Sequence, residues 1–155
     1  MRALRVVVLA ALLTGCASGE RAAQADATRL ASTTAANKKL VVDFYRTVFI
    51  EKRVVEGFER YVVPEYIQHN PLLPTGREPA VKFLISRVTR DSITDIKRVV
   101  AESDLVVLHV HSRTNLSDRG RAVVDIFRVA NGKIVEHWDV MQPVPDKPAN
   151  QNTMF

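Results

Sequence analysis

Asp125 and His111 are the two side chains of this sequence whose types and positions suit acid/base chemistry. Asp125 interrupts a run of apolar residues, and burial among apolar groups raises the pKa of a carboxyl group toward neutral pH. Such a group can take a proton from the carbon next to a carbonyl group and later return it. His111, fourteen residues earlier, can donate a hydrogen bond to developing negative charge. The alternative is a buried polar pair in which the two side chains only satisfy each other.

Three helices followed by four strands are expected to position these residues. Apolar side chains recur at helical spacing over 37–49 and 54–61, and Pro64 ends the second helix. Tyr66 to Pro71 is expected to be extended or looped, and a third helix follows Gly76. An apolar period of two then predicts the strands 93–101, 105–113, 121–129 and 133–141. This order predicts an α+β fold with helices on one face of an antiparallel sheet.

The dipeptide Asn131-Gly132 predicts a two-residue hairpin turn, which sets the register of the last two strands. Asp125 then lies opposite Trp138, and Phe127 lies opposite Glu136. A loop centred on Asp118 would in addition pair His111 with Asp125. The predicted helix-facing surface therefore carries His111, Asp125, Phe127, Glu136 and Trp138. The predicted outer surface carries Val124, Ile126, Arg128, Val135, His137 and Asp139.

Several segments of the chain resemble the SnoaL-like polyketide cyclase family of the nuclear transport factor 2-like superfamily. They are Tyr66–Pro71, His111, Asp125–Arg128 and Gly132–Asp139. The similarity spans residues 37–142, and Asn150–Phe155 resembles a subgroup of predicted aldol-condensation enzymes. The resemblance implies a cone in which three helices pack on a bent antiparallel sheet.

The resemblance also implies roles for single residues. The family's catalytic aspartate falls on Asp125, and a supporting histidine falls on His111; no metal or organic cofactor is implied. The expected substrate is a small hydrophobic or carbonyl-containing molecule. Its predicted contacts are Tyr66, His69, Phe127 and Trp138.

A metal site is an alternative use of the same residues. His109 is predicted to share a strand face with His111, and a His-x-His spacing on a strand can bind a metal ion. His69 and Asp125 would complete the set. Without further signals, we favour a site that holds no metal.

The N-terminus resembles a bacterial lipoprotein signal. Arg2 and Arg5 precede an apolar run over 6–13, which is too short to span a bilayer. Leu13-Thr14-Gly15-Cys16 resembles a lipobox, in which the cysteine is acylated and the preceding peptide removed. The sequence therefore predicts a signal peptide over 1–15, a flexible linker over 16–36 and a lipid anchor at Cys16. The expected location is the cell envelope, at the outer membrane or the periplasmic side.

The charge and cysteine content of the chain limit the classes of partner and of covalent link that are expected. The net charge of the 155-residue chain is +5, and it falls to +3 once Arg2 and Arg5 are removed with the signal peptide. No Lys/Arg run is dense enough to indicate nucleic-acid binding. Cys16 is the only cysteine, so a disulfide within the chain is excluded.

The outer sheet face predicts a homodimer. Val124, Ile126 and Val135 are expected to form an apolar stripe there, which a second copy of the chain would bury. The alternative is cover by the C-terminal tail over 143–155.

Two function classes remain open from sequence alone. One is a cofactor-free acid/base enzyme of aldol-condensation or cyclase type that uses Asp125. The other is a lipid-anchored binding module that holds a small apolar ligand or partner without turnover.

Overall fold

The helices and strands follow the change of apolar period along the chain. The structure is a computed structural model, and it describes residues 13–155. Its helices are α1 (Leu13–Tyr45), continued by a π-helical turn (Arg46–Ile50), α2 (Val54–Tyr61) and α3 (Arg77–Ile85). Its strands are β1 (Val62–Gln68), β2 (Ile93–Glu102), β3 (Leu105–Arg113), β4 (Arg121–Ala130) and β5 (Lys133–Pro143). The predicted α+β class, with three helices and four long strands, is confirmed.

The sheet contains a fifth strand, β1, which the sequence indicated only as an extended or looped segment. The strand order is β1-β5-β4-β3-β2, and β1 pairs in parallel with β5 while the other pairs are antiparallel. Pro64 lies within β1. Because β1 is an edge strand, it tolerates a residue that donates no ladder hydrogen bond. The sheet is therefore mixed.

The core lies between the helices and one face of the sheet, called here the inner face. Phe44 of α1 is at its centre, with its ring 5.1 Å from that of Phe58 on α2 and 5.6 Å from that of Phe127 on β4. Both pairs are edge-to-face, an arrangement that adds to the stabilisation from burial. Leu108 of β3 and Ile134 of β5 are fully buried beneath them. The layer positions the inner-face side chains of β4 and β5 under the end of α1.

Helix α1 extends through the segment that was expected to be a flexible linker. Residues 19–36 are helical, and nearly all of them are exposed. Alanine-rich sequence has high helix propensity, and Asp26 pairs with Arg29 one turn later at 3.1 Å. From Ala27 to Lys38 the helix lies beside β2 and forms one wall of a groove.

The predicted signal peptide falls largely outside the described residues, and the side chain of Cys16 is not described. Over residues 13–155, the helices lack the combination of length and apolar character that a membrane crossing requires.

The predicted register of β4 and β5 is wrong beyond the first two pairs. Ala130 pairs with Lys133 and Val129 with Ile134, as the turn dictates. Arg128 then pairs with Glu136, which leaves Val135 as an extra residue in a β-bulge. Every later β5 residue is shifted by one position, so its side chain points to the opposite face from the one predicted.

The predicted pairing of His111 with Asp125 is also wrong. Asp125 lies opposite Leu108, and His111 lies opposite Ala122. The loop between β3 and β4 is centred nearer its start than expected, because the Asn115 side chain accepts hydrogen bonds from the backbone of Ser117 and Asp118. Such an Asx turn reverses the chain early. His111 therefore points to the outer face of the sheet.

Candidate functional site

Asp125 is the centre of a buried polar network on the inner face of β4. Only 7% of its surface is exposed. The hydroxyl of Tyr45 donates to its Oδ2 at 2.7 Å, and Nε2 of His137 lies 3.0 Å from its Oδ1. Tyr45 is the last residue of α1, and His137 lies on β5 next to β4. A helix end and two neighbouring strands therefore fix the two carboxylate oxygens.

His137 reaches this network because of the bulge at Val135. Its Nδ1 lies 3.0 Å from Oε1 of Gln68, which also accepts the backbone N–H of Asn70 at 2.9 Å. A backbone N–H can only donate, so the atom of Gln68 at this point must be the carbonyl oxygen. Nδ1 of His137 must then carry the hydrogen. A neutral imidazole protonated there would turn the Nε2 lone pair toward Asp125 Oδ1. In that tautomer, Nε2 of His137 and Oδ1 of Asp125 face each other at 3.0 Å as two acceptor atoms.

Asp139 lies next to Asp125, because the two residues are directly paired across β4 and β5. The amide group of Asn70 donates to its two carboxylate oxygens at 2.7 and 3.0 Å. The carbonyl oxygen of Asn70 in turn accepts the backbone N–H of Leu72 at 2.9 Å. Parallel pairing of Gln68 with His137 is what carries Gln68 and Asn70 to these partners.

The electrostatics of the network are dominated by its two carboxylates. Among residues 13–155, neither carboxylate forms an ion pair with a lysine or an arginine, and His137 is the one basic partner. Burial first, and then the charge of Asp125, raise the pKa of Tyr45 well above its ordinary value. The pKa of Tyr66 is raised by the same two causes in the same order. Both phenols therefore stay protonated.

Three of these residues are placed to hold a metal ion. Asp125, His137 and Asp139 each offer one ligand atom, and the three atoms lie within 4.8 Å of one another. One imidazole nitrogen and two carboxylate oxygens suit divalent first-row metals. The arrangement can thus serve proton transfer or metal binding.

A comparison with protein families assigns the chain to one of them. The profile of the SnoaL-like domain matches residues 41–137, which is more than half of the 155-residue chain. The chain belongs to the SnoaL-like domain family. The match contains Tyr45, Gln68, Asn70, Asp125 and His137.

Solved structures share the SnoaL-like fold at low identity. TsrD from Streptomyces laurentii is 21% identical, with a TM-score of 0.56, over 69% of this chain and 88% of that chain. AclR from Streptomyces galilaeus, a proposed hydroxylase, is 20% identical, with a TM-score of 0.60, over 75% of this chain and 91% of that one. A proposed ketosteroid isomerase from Kribbella flavida DSM 17836 is 16% identical, with a TM-score of 0.63, over 79% and 89%. A comparison with curated proteins gave no match. At these identities the neighbours show the fold alone.

His111 and His109 of this SnoaL-like protein lie away from the network, on the outer face. The ring of His111 stacks on that of Phe155 at 4.1 Å, and its Nε2 lies 2.7 Å from the carbonyl oxygen of Arg119. His109 lies 5.7 Å from the same phenylalanine ring, and its Nδ1 faces a guanidinium N–H of Arg98 at 2.9 Å. The two histidines share a face as predicted. That face is opposite to the one that carries Asp125, so the metal set built on His69, His109 and His111 is not formed.

Trp138 and Glu136 are also on the outer face, as a result of the bulge. The ring of His69 stacks on Trp138 at 4.6 Å, and Nε2 of His69 lies 2.8 Å from Glu136. Arg128 donates to Glu136 at 2.8 Å and lies over the Trp138 ring. Hydrogen bonds from His69, and then from Arg128, lower the pKa of Glu136. Trp138 therefore forms no wall beside Asp125, and His69 packs in this outer cluster.

Phe127 and Tyr66 do lie beside the network. The Phe127 ring is 4.7 Å from that of His137, and the Tyr66 ring is stacked on the same imidazole group at 6.2 Å. The hydroxyl of Tyr66 accepts a hydrogen bond from Gln68 at 3.3 Å. Both aromatic residues therefore hold the imidazole in place.

Sequence reasoning missed Tyr45, Gln68, Asn70, His137 and Asp139 as site residues. Tyr45 was included only in the apolar stripe of α1. Its polar end could have been noted, since a buried tyrosine hydroxyl usually finds a partner. Successive side chains of an extended segment lie on opposite faces. This rule would have put Gln68 and Asn70 on the face opposite to His69.

Proposed function

We propose that this protein is an acid/base enzyme of SnoaL type that acts on a small carbonyl compound through Asp125. The observation that carries the proposal is the buried Asp125 carboxylate held between the Tyr45 hydroxyl at 2.7 Å and His137 Nε2 at 3.0 Å. A buried carboxylate held between a phenol hydroxyl and an imidazole nitrogen is positioned for proton transfer. His137 takes the supporting role that the sequence had suggested for His111.

The chemistry proposed is the carbon–carbon bond-forming step of an aldol condensation, the aldol addition. A carboxylate oxygen of Asp125 takes a proton from the carbon next to the substrate carbonyl, and the electrons of that C–H bond form an enolate. The enolate carbon bonds to a second carbonyl carbon, whose oxygen becomes an alkoxide. The alkoxide then takes the proton back from Asp125, so the residue ends as it began. The Tyr45 hydroxyl stays protonated throughout, because its pKa is raised, and it donates to whichever oxygen carries the negative charge.

The test is turnover by Asp125→Asn on a panel of small β-dicarbonyl and aromatic polyketide-like compounds. We expect the rate to fall by a factor of roughly 10²–10⁴ while ligand affinity is kept, because the amide accepts hydrogen bonds but cannot act as a base. Asp104→Asn is a matched control, since Asp104 is half-exposed and pairs with Arg128 at 2.7 Å, outside the network. A turnover that is equal in the two variants would refute the role of Asp125.

A second candidate function is a lipid-anchored binding module. The lipobox-like Leu13–Cys16 segment favours it, since a cell-envelope location is unusual for an enzyme of soluble intermediates. In this case the chain would co-purify with an apolar ligand, turn over none of the panel compounds, and lose affinity for that ligand in Asp125→Asn.

We further propose that the chain is anchored in the cell envelope through an acylated Cys16. Cys16→Ser is expected to release the protein from the membrane fraction and abolish incorporation of labelled fatty acid. Membrane retention without any lipid label on the unaltered protein would contradict the anchor.

We also propose that the outer face pairs with a second copy of the chain. The exposed side chains of Val100 and Val140 on this face support a homodimer. Phe155 covers the neighbouring surface around His111. Light scattering of the chain after gel filtration distinguishes a dimer from a monomer.

A further inference from the structure

The Asp125 network contains a position at which a bound cation would be stabilised. Nε2 of His137 and Oδ1 of Asp125 face each other at 3.0 Å, and the bond from Nδ1 to Gln68 makes both facing atoms acceptors in the neutral state. The second carboxylate, that of Asp139, adjoins them, since Asp139 is paired with Asp125. A divalent cation at this place could accept a lone pair from His137 Nε2 and from Asp125 Oδ1, with the carboxylate of Asp139 beside it.

We propose that Asp125, His137 and Asp139 bind a divalent first-row metal ion, with Zn²⁺ as the probe that the donor set suits. This site differs from the one considered from the sequence, and the family resemblance implies no metal. Its three ligand atoms already lie within 4.8 Å of one another. Two ligand atoms about 3 Å apart suit two metal–ligand bonds of roughly 2.1 Å at about a right angle. A modest closure of the third atom completes the set, and three protein ligands leave positions open for water or substrate.

The groups around the three ligands are those that metal sites require. A metal-binding histidine almost always donates its second ring N–H to a carbonyl or carboxylate oxygen. Nδ1 of His137 does so toward Gln68 at 3.0 Å. The carboxylates are likewise oriented by donors, Asp125 by the Tyr45 hydroxyl at 2.7 Å and Asp139 by the Asn70 amide at 2.7 and 3.0 Å. Each ligand therefore has one partner that fixes its orientation, and each keeps a lone pair for the ion; on Asp139 this lone pair belongs to an oxygen that also accepts from Asn70.

Burial of the ligands strengthens their electrostatic attraction for a bound ion. Asp125 is 7% and His137 8% exposed, so both ligands are already removed from water. Asp139 is paired directly with Asp125, so a second carboxylate lies next to the buried one. Electrostatic attraction is strongest where the dielectric constant is low.

Calorimetric titration of the untagged full chain with Zn²⁺, after treatment with a chelator, tests the proposal. We expect one ion per chain, and an affinity reduced at least about 100-fold in Asp139→Asn, which removes one ligand. Asn70→Ala keeps all three ligands and removes one orienting donor, so a loss of about 10- to 100-fold is expected. Asp95→Asn is a matched control because Asp95 pairs with Arg113 on the outer face. His109→Ala controls for the other histidine set. Both controls should bind as the unaltered chain does.

Two further readouts keep the result clear if a variant is unstable. Co²⁺ bound to the unaltered chain should give visible absorption bands that Zn²⁺ displaces, and Zn²⁺ should raise the melting temperature of the unaltered chain but not that of Asp139→Asn. Absence of one-to-one binding would overturn the proposal. So would binding that survives Asp139→Asn, or binding that is lost in His109→Ala.

The proposal goes beyond the acid/base function and is tested without substrate. A bound ion would occupy Asp125, so Zn²⁺ is expected to suppress the proposed turnover. If no panel compound reacts, the titration still decides the metal site. If Zn²⁺ fails to bind, the Asp125→Asn assay is unaffected.

Discussion

Tyr45→Phe should destabilise the fold through a single hydrogen bond. The Tyr45 hydroxyl donates to Asp125 at 2.7 Å, and both side chains are buried, so water cannot replace the lost donor. Loss of a hydrogen bond to a charged group costs about 1.5–3 kcal/mol. For a chain of 155 residues, this corresponds to a fall in melting temperature of roughly 3–12 °C. Urea unfolding followed by circular dichroism measures the free energy directly.

Tyr66→Phe is the matched control for this prediction. Tyr66 is as buried as Tyr45, but within residues 13–155 its hydroxyl forms a hydrogen bond only with the Gln68 amide, at 3.3 Å. Loss of such a neutral hydrogen bond costs about 0.5–1.5 kcal/mol. A double-mutant cycle of Tyr45→Phe with Asp125→Asn should show a coupling free energy of about 1 kcal/mol or more. In the Asp125→Asn background the charged acceptor of the Tyr45 hydroxyl is absent, so Tyr45→Phe should cost less there. Equal losses in the two tyrosine variants, together with zero coupling, would refute the reasoning.

Three further outcomes are expected. Gly57→Ala should destabilise the fold by about 1–3 kcal/mol in urea unfolding, because the added Cβ would lie 2.4 Å from a methyl carbon of buried Val48. Gly19→Ala is the control and should not destabilise the fold, because nothing lies within 4 Å of its added Cβ. Hydrogen bonds within the loop between β3 and β4 lower the pKa of Asp118 from 3.8 to about 2. The stabilising contribution of Asp118 is therefore present above pH 3.8 and is lost as the pH falls to about 2. Asp118→Asn should therefore flatten the loss of stability over this range, measured by thermal melts at each pH, and an unchanged slope would contradict the assignment. His111→Ala should leave turnover of any substrate within about 3-fold, since His111 lies on the outer face, and a loss approaching the factor of roughly 10² expected for Asp125→Asn would place it in the reaction.

The sequence was sufficient for the α+β class and the four long strands, though not for β1, because periodicity reports burial directly. The bounds of α2 and β3 match the predicted spans, and Asp125 faces inward as expected. Periodicity cannot reveal a β-bulge, because one extra residue changes which face is buried without changing the composition of the strand. For β5 the two choices were an inner face with Glu136 and Trp138 or one with His137 and Asp139, and hydrophobicity favours neither clearly.

The helical state of residues 19–36 and the position of His111 were mispredicted for local reasons. The first segment lacks large apolar residues, which is typical of a linker, but its alanines suit a helix equally well. The turn between β3 and β4 depends on the side-chain hydrogen bonds of Asn115, and several polar residues of that loop could have served in its place. The contact of Tyr45 with Asp125 joins residues 80 positions apart, and no local pattern encodes it.

This separation along the chain also determines when the site can form during folding. Tyr45 and Asp125 are 80 positions apart, and Gln68 and His137 are 69 apart. Contacts between distant residues require the closure of long loops, so they form slowly compared with helices and hairpins. The hairpin of β4 and β5 can form early and brings Asp125 beside Asp139, but Gln68 arrives only when β1 docks in parallel on β5. During refolding, the recovery of ligand binding or turnover should therefore lag behind the recovery of secondary structure.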